Sequence, residues 1–183
     1  MNKIAKRILI IVLLLVALVF AGFQVLKMYT KQFSPEREAS YTLNEYNLSV
    51  SYSSPSKKNR VIFGGLVPYD QIWRTGANEA TTLTTNKSLS LDGTEIPAGT
   101  YTLWTIPGKE SWTVIINEGK YDWGVNFDGT PTYDPEQDVA RISLPVETTL
   151  TPVEKFTIGF HAYPNKVVMY LEWDDTLITV PFE

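Results

Sequence analysis

The chain changes its hydrophobic pattern once, near its beginning. From Ile8 to Phe23 no side chain is polar or charged, and after Gln24 the apolar character continues through Val25 and Leu26. About 20 helical residues, each rising 1.5 Å, cross a hydrocarbon layer roughly 30 Å thick. Residues 8–27 are therefore predicted to form one transmembrane helix. A helix buried in a soluble core would keep a polar face, and this one has none. Beyond residue 40 the period becomes two. Tyr46, Leu48, Val50 and Tyr52 alternate with Asn47, Ser49, Ser51 and Ser53, as in a strand with one buried face. Further strands are expected at 61–63, 80–85, 88–91, 100–106, 112–117, 139–144, 156–162, 167–173 and 177–180. Turn residues separate many of them: Asp92-Gly93, Pro97-Ala98-Gly99, Pro107-Gly108, Asp128-Gly129 and Pro164-Asn165. Turns of helix are expected within 68–77 and 133–138.

Short strands at this spacing predict an all-β fold, an antiparallel β-sandwich with a barrel-like sheet as the alternative, preceded by one N-terminal transmembrane helix. The expected organisation is a basic cytoplasmic leader at 1–7, a membrane anchor at 8–27, a linker at 28–39 containing Ser34-Pro35, and an extracytoplasmic β domain at 40–183.

Charge orients the anchor. Lys3, Lys6, Arg7 and the amino terminus precede it, whereas Lys27 and Lys31 follow and are soon diluted by Glu36 and Glu38. The bias places the N-terminus inside the cytoplasmic membrane and the domain in the periplasm or outside, as a single-pass signal anchor of the cell envelope. The competing expectation is a signal peptide cut after Val19-Phe20-Ala21, giving a mature chain that starts near Gly22. All 20 acidic residues but only 12 of the 16 basic ones lie beyond residue 27, a formal charge of −8. Such a domain lacks the basic footprint that phosphates require, so no nucleic-acid partner is expected. With no cysteine, thiol chemistry and disulfides are excluded.

The densest cluster of chemistry is Trp73-Arg74-Thr75-Gly76-Ala77-Asn78-Glu79, which sets a guanidinium, a carboxamide and a carboxylate beside an indole. Two readings stand: a ligand site, or a structural corner in which Trp73 fills the core, Arg74 pairs with Glu79 and Asn78 bonds backbone. Of the five tryptophans, Trp123 lies in the loosest segment, 121–127, and is the candidate exposed platform for a sugar ring. Trp104 and Trp112 are expected to pair across the hairpin at Pro107-Gly108. The ligand-binding candidates are thus Trp73, Arg74, Asn78, Glu79 and Trp123.

At this cluster the sequence resembles a known family. Tyr52-Ser53-x-Pro55, Arg60-x-Ile62-Phe63-Gly64, the string LVPYDQIWRTGANEAT, the string IPAGTYTLWTIP and Trp112-Thr113-Val114-Ile115 together resemble the bacterial family catalogued as domain of unknown function 2911. The resemblance runs from about residue 40 to near the C-terminus. It implies a compact, commonly exported β domain of Bacteroidetes-type bacteria and implies no activity. Members often carry Arg and Gly where this chain has Ser54 and Asn59, which makes any site built there less cationic.

A single histidine rules out zinc and iron sites that need two. His161 sits in a strand pattern without a nucleophile elbow, and no phosphate loop or dinucleotide fingerprint occurs. Asp122, Asp128, Asp134, Glu136 and Asp138 do not follow the spacing of a calcium loop and read as a solvated acidic stretch. No metal and no cofactor are expected. Two functions follow: a non-catalytic envelope module that binds a glycan or a protein, and, as the alternative, a small carboxylate-dependent hydrolase or lyase using Arg74, Asn78 and Glu79.

Overall fold

A computed structural model describes residues 2–43, 45–126, 128–164 and 166–183, with the backbone alone at Leu43. Met1 of the leader, Phe127 of the 121–127 segment and Asn165 of the expected Pro164-Asn165 turn lie outside the described residues. The chain divides into two units, Met1–Phe33 and Ser34–Glu183. The first is helix α1, Lys3–Phe33, with no buried residue and with large apolar side chains exposed along its whole length. It is the one helix among the described residues long and apolar enough to cross a membrane. The helix outruns the predicted span. Lys27 lies over the Phe23 ring and Tyr29 meets Phe33 edge-on at 5.0 Å, contacts one helical turn apart that carry the helix through residues expected to be linker.

The second unit is the β domain. Its larger sheet has six strands in the order β1 (Glu36–Leu43), β2 (Tyr46–Ser53), β3 (Thr82–Thr85), β6 (Gly99–Ile106), β7 (Ser111–Asn117) and β8 (Asp138–Pro145), each antiparallel to its neighbours. The facing layer is the long hairpin β9 (Glu147–Tyr163) and β10 (Lys166–Phe182). Two links widen it. After β2 the chain crosses over, Phe156 N–H bonding Pro55 C=O and Lys57 N–H bonding Glu154 C=O; at the other edge Ser90 and Glu183 exchange backbone bonds of 2.8 and 3.0 Å. The second link brings in β4 (Leu89–Leu91) and β5 (Thr94–Ile96), joined by a tight turn with Asp92 at φ 50° and Gly93 at φ 77°.

The core lies between these layers. Leu48, Val50, Leu83, Leu103, Val114 and Ile116 from the six-stranded sheet meet Phe156, Ile158, Met169, Leu171, Trp173 and Val180 from the hairpin, and all are buried. The architecture is the predicted sandwich. The barrel alternative falls because β1 and β8 are separate edges of one open sheet.

Four local expectations are corrected. Residues 36–39 open β1, Glu36 pairing with Ser53 and Glu38 with Ser51; a charged segment hides its strand character because edge strands tolerate charge on their outer face. Residues 61–63 form a compact loop, closed by Val67 N–H to Ile62 C=O at 2.9 Å and Gly64 N–H to Val67 C=O at 2.8 Å. No helix occurs in 68–77; the expected turn in 133–138 is a short 3-10 turn, Pro135–Gln137, capped by the Asp134 carboxylate. Trp104 and Trp112 do not pair. Trp104 stands opposite Ile115, so the alternation of β7 puts Trp112 on the other face.

Candidate functional site

Between β2 and β6, the strand position filled by β3 is continued by Trp73. Trp73 and Thr105 exchange backbone bonds of 2.7 and 2.9 Å, and Leu103 N–H bonds Thr81 C=O at 2.8 Å. Residues 74–80 therefore leave the sheet and return to it as a closed loop. The loop is bound from within: Thr81 Oγ1 donates to Thr75 C=O at 2.7 Å, Trp73 Nε1 donates to Gly76 C=O at 3.0 Å, and the Thr75 and Thr105 hydroxyls meet at 3.1 Å. Thr75 (φ 56°) and Asn78 (φ 56°) both occupy the left-handed region. That region is costly for β-branched threonine and tolerable for asparagine. Gly76 lies so close to β2 that a Cβ would stand 3.0 Å from Ser53 C=O.

Residues 118–126 and 128–134 lie over the outer face of the same sheet. Their hub is the buried Asn117. The Asn117 Nδ2 donates to Asp134 C=O and to the Asp138 carboxylate, while its Oδ1 accepts from Gly119 N–H and Tyr121 OH. Tyr121 and Tyr133 meet the buried Trp104 ring at 5.3 and 5.5 Å. Tyr133 OH donates to Asp138 at 2.6 Å and accepts from Arg141. Burial and the Asp138 carboxylate push the Tyr133 phenol up to about 12. The two loops touch where Ala80 N–H bonds Asp122 C=O and where Gly124 (φ 75°) lies against the Arg74 stem, a Cβ there standing 3.1 Å from Arg74 Cβ. Burial lowers the Arg74 pKa, and the neighbouring Glu79 carboxylate opposes that shift.

Where both loops meet β1 and β2 there is a cleft of ≈ 240 Å³, lined by Glu36, Ser51, Tyr52, Ser53, Glu79, Ala80, Thr82, Tyr121 and Asp122. The sheet register explains this lining. Glu36 stands opposite Ser53, and Ser51 opposite Thr82, so the polar residues of the β2 alternation share the outer face. Loops then carry Glu79 and Asp122 to the same place. Three carboxylates and several hydroxyls around one opening can accept from and donate to a ligand rich in hydroxyl groups.

The five sequence candidates are divided by the fold. Glu79 lines the cleft. Arg74 is not among the lining residues; its stem packs against Gly124. Asn78 is buried and donates from Nδ2 to Ser34 C=O at 3.1 Å. Trp73 joins the aromatic core, stacked on Trp173 at 6.3 Å and edge-on to Phe156 at 5.2 Å. Trp123 is half-buried, next in sequence to Asp122. Glu36, Ser51, Ser53, Thr82 and Tyr121 were not singled out by sequence; the outward Ser49-x-Ser51-x-Ser53 row was the available signal. Of the acidic stretch, Asp128 is exposed and held below its usual range by the Thr130 hydroxyl and then the Thr130 N–H. Among the described residues no group of three His, Asp or Glu side chains is placed to hold a metal ion. His161 is exposed on β9, stacked on Tyr170 at 4.6 Å.

Residues 34–182 match the model of a family described as Protein of unknown function (DUF2911). No curated protein and no solved structure matches the chain.

Proposed function

The chain belongs, through residues 34–182, to this family of proteins of unknown function, and from that premise we propose that it is a membrane-anchored, extracytoplasmic binding module whose cleft takes a glycan of the cell envelope. The observation that carries the reading is the convergence of Glu36, Glu79 and Asp122 with Ser51, Ser53, Thr82 and Tyr121 around one opening. Carboxylates accept from pairs of sugar hydroxyls and serine or threonine hydroxyls complete the bonding. The cleft is smaller than the roughly 300–1,000 Å³ of drug-sized pockets, which suits a single ring. Trp123, beside Asp122, supplies the proposed stacking surface. In this reading the apolar helix keeps the module at the cytoplasmic membrane with its N-terminus inside.

Calorimetric titration of the full chain in lipid nanodiscs with fragments of envelope polysaccharides tests the cleft. Binding is expected, weakened at least about tenfold, or 1.4 kcal/mol, when Glu79→Gln and Asp122→Asn are combined. Absence of binding across the panel, or affinity untouched by that pair, removes the reading. The anchor is tested by the mass of the mature N-terminus; a chain beginning near Gly22 overturns permanent tethering.

A second reading, a carboxylate-dependent hydrolase or lyase, draws on Glu79 sharing its cleft with two other acids. New reducing ends formed from a bound glycan, and lost in Glu79→Gln, would replace the binding module with an enzyme.

A further inference from the structure

Resting on the reading of an anchored, glycan-binding cleft, we infer that the sugar it takes is carried by a lipid of the same membrane, not by a free polysaccharide. Helix α1 ends at Phe33, and β1 begins at Glu36, which is itself a wall of the cleft. The two residues between them are both held by the β domain. Ser34 C=O accepts from Asn78 Nδ2 at 3.1 Å, and Pro35 C=O accepts from Ser54 N–H at 2.9 Å. Asn78 immediately precedes Glu79 and Ser54 immediately follows Ser53, and both Glu79 and Ser53 line the cleft. The join is therefore part of the cleft wall and not a flexible linker.

Chain length then limits how far the cleft stands from the lipid. The apolar run ends at Leu26, and the helix continues from Lys27 to Phe33, a rise of about 10 Å. From Phe33 to Glu36 the chain spans at most about 11 Å, even fully extended. Glu36 thus stays within about 20 Å of the end of the apolar run, whatever direction the chain takes. Lipid headgroups fill roughly the first 5–7 Å of that distance. A ligand reaching this cleft is a ligand at the membrane surface.

Affinity points the same way. A cleft of ≈ 240 Å³ suits a single ring, and the roughly twelve non-hydrogen atoms of a hexose, at the efficiency of ordinary ligands, give a dissociation constant on the order of 1 mM. So weak a site stays empty in dilute solution. Confinement to one membrane holds a partner at an effective concentration of about millimolar or more, which fills it without any further contact. Charge narrows the class. Glu36, Glu79 and Asp122 share the opening in a domain of formal charge −8, so the sugar presented to it is neutral and anionic headgroups are repelled.

Competition within one membrane tests the inference separately from the reading beneath it. The full chain in phosphatidylcholine nanodiscs is titrated calorimetrically with free, neutral fragments of envelope polysaccharides, first in plain discs and then in discs containing a few per cent of the same fragment coupled to dioleoylglycerol. The lipid-borne sugar is expected to occupy the cleft and weaken the apparent affinity for the free fragment at least about tenfold. A second protein carries a flexible Gly/Ser spacer of about 30 residues between Phe33 and Ser34, with an average span of about 30 Å. It keeps both bonds to Ser34 and Pro35, and its near-ultraviolet circular dichroism is expected to match that of the original chain. The spacer is expected to cut the competition factor at least twofold while leaving affinity in plain discs unchanged. No competition by the lipid-borne sugar, or competition equal in the two proteins, overturns the inference and leaves the glycan reading standing. No binding of any fragment in plain discs removes both.

Discussion

The side-chain amide of Asn78 donates to the backbone carbonyl of Ser34 at 3.1 Å, tying the loop between Trp73 and Thr81 to the first residue of the β domain. Ser54 N–H bonds Pro35 C=O beside it at 2.9 Å. The start of the domain is thus fastened by β2 and by a loop far along the sequence, and the same loop presents Glu79 to the cleft.

Asn78→Ala loses that bond and places an alanine at φ 56°. The bond contributes about 1 kcal/mol and the left-handed backbone costs alanine a further 1–2 kcal/mol. A loss of about 2–3 kcal/mol is expected in urea unfolding followed by tryptophan fluorescence. Asn78→Gly removes the bond alone and is expected to lose about half as much. Equal losses in the two variants would dismiss the backbone contribution.

Trp73 distinguishes a core residue from a ligand platform. Its ring lies among Phe63, Trp112, Phe156 and Trp173, so Trp73→Ala is expected to cost about 3–5 kcal/mol. Unchanged thermal stability together with lost sugar binding would place the ring in the site instead.

Lys57 and Asp174 form an ion pair with side chains only 25% and 18% exposed. It locks the crossover after β2 to the bulged part of β10, where Asp174 has φ 57°. A double-mutant cycle with Lys57→Met and Asp174→Asn, the latter chosen because asparagine tolerates that φ, is expected to give a coupling of about 1–2 kcal/mol. Partial burial limits screening by salt. A coupling near zero, or one abolished by 0.5 M salt on the order of a 4 Å Debye length, would make the pair a surface contact without structural weight.

Tyr133 gives a pH signature. Its phenol is raised to about 12 from the ordinary 10.0, by burial first and by Asp138 next. Below pH 10 it is protonated in the folded and unfolded states, and its contribution is complete. Between about 10 and 12 the unfolded state ionises first, so stability falls with rising pH through this window. The urea midpoint of the wild type is expected to drop more steeply there than that of Tyr133→Phe. Parallel curves would show that Tyr133 titrates alike in both states.

The legible parts of the fold were those written in local period. The alternation from Tyr46 to Tyr52 became β2, the Asp92-Gly93 pair became a two-residue turn, and the apolar run from Ile8 became helix. β1 was missed because Glu36, Arg37 and Glu38 read as solvated chain until β2 lies beside them. Glu79 was legible as a candidate because its neighbours in sequence carry chemistry. Glu36, Ser51, Thr82 and Tyr121 were not, since nothing next to them in the chain marks them and only strand register brings them together.

Sequence alone therefore determined an apolar helix followed by an antiparallel β domain, because a run of apolar residues and a period of two are properties of adjacent positions. Tertiary structure decided what each conspicuous residue does. It drew Trp73 into the aromatic core, turned Asn78 toward Ser34, packed Tyr121 and Tyr133 against Trp104, and gathered Glu36, Glu79 and Asp122 at one opening. Those outcomes follow from pairing between distant strands and from the competition of side chains for one core, which no local pattern encodes.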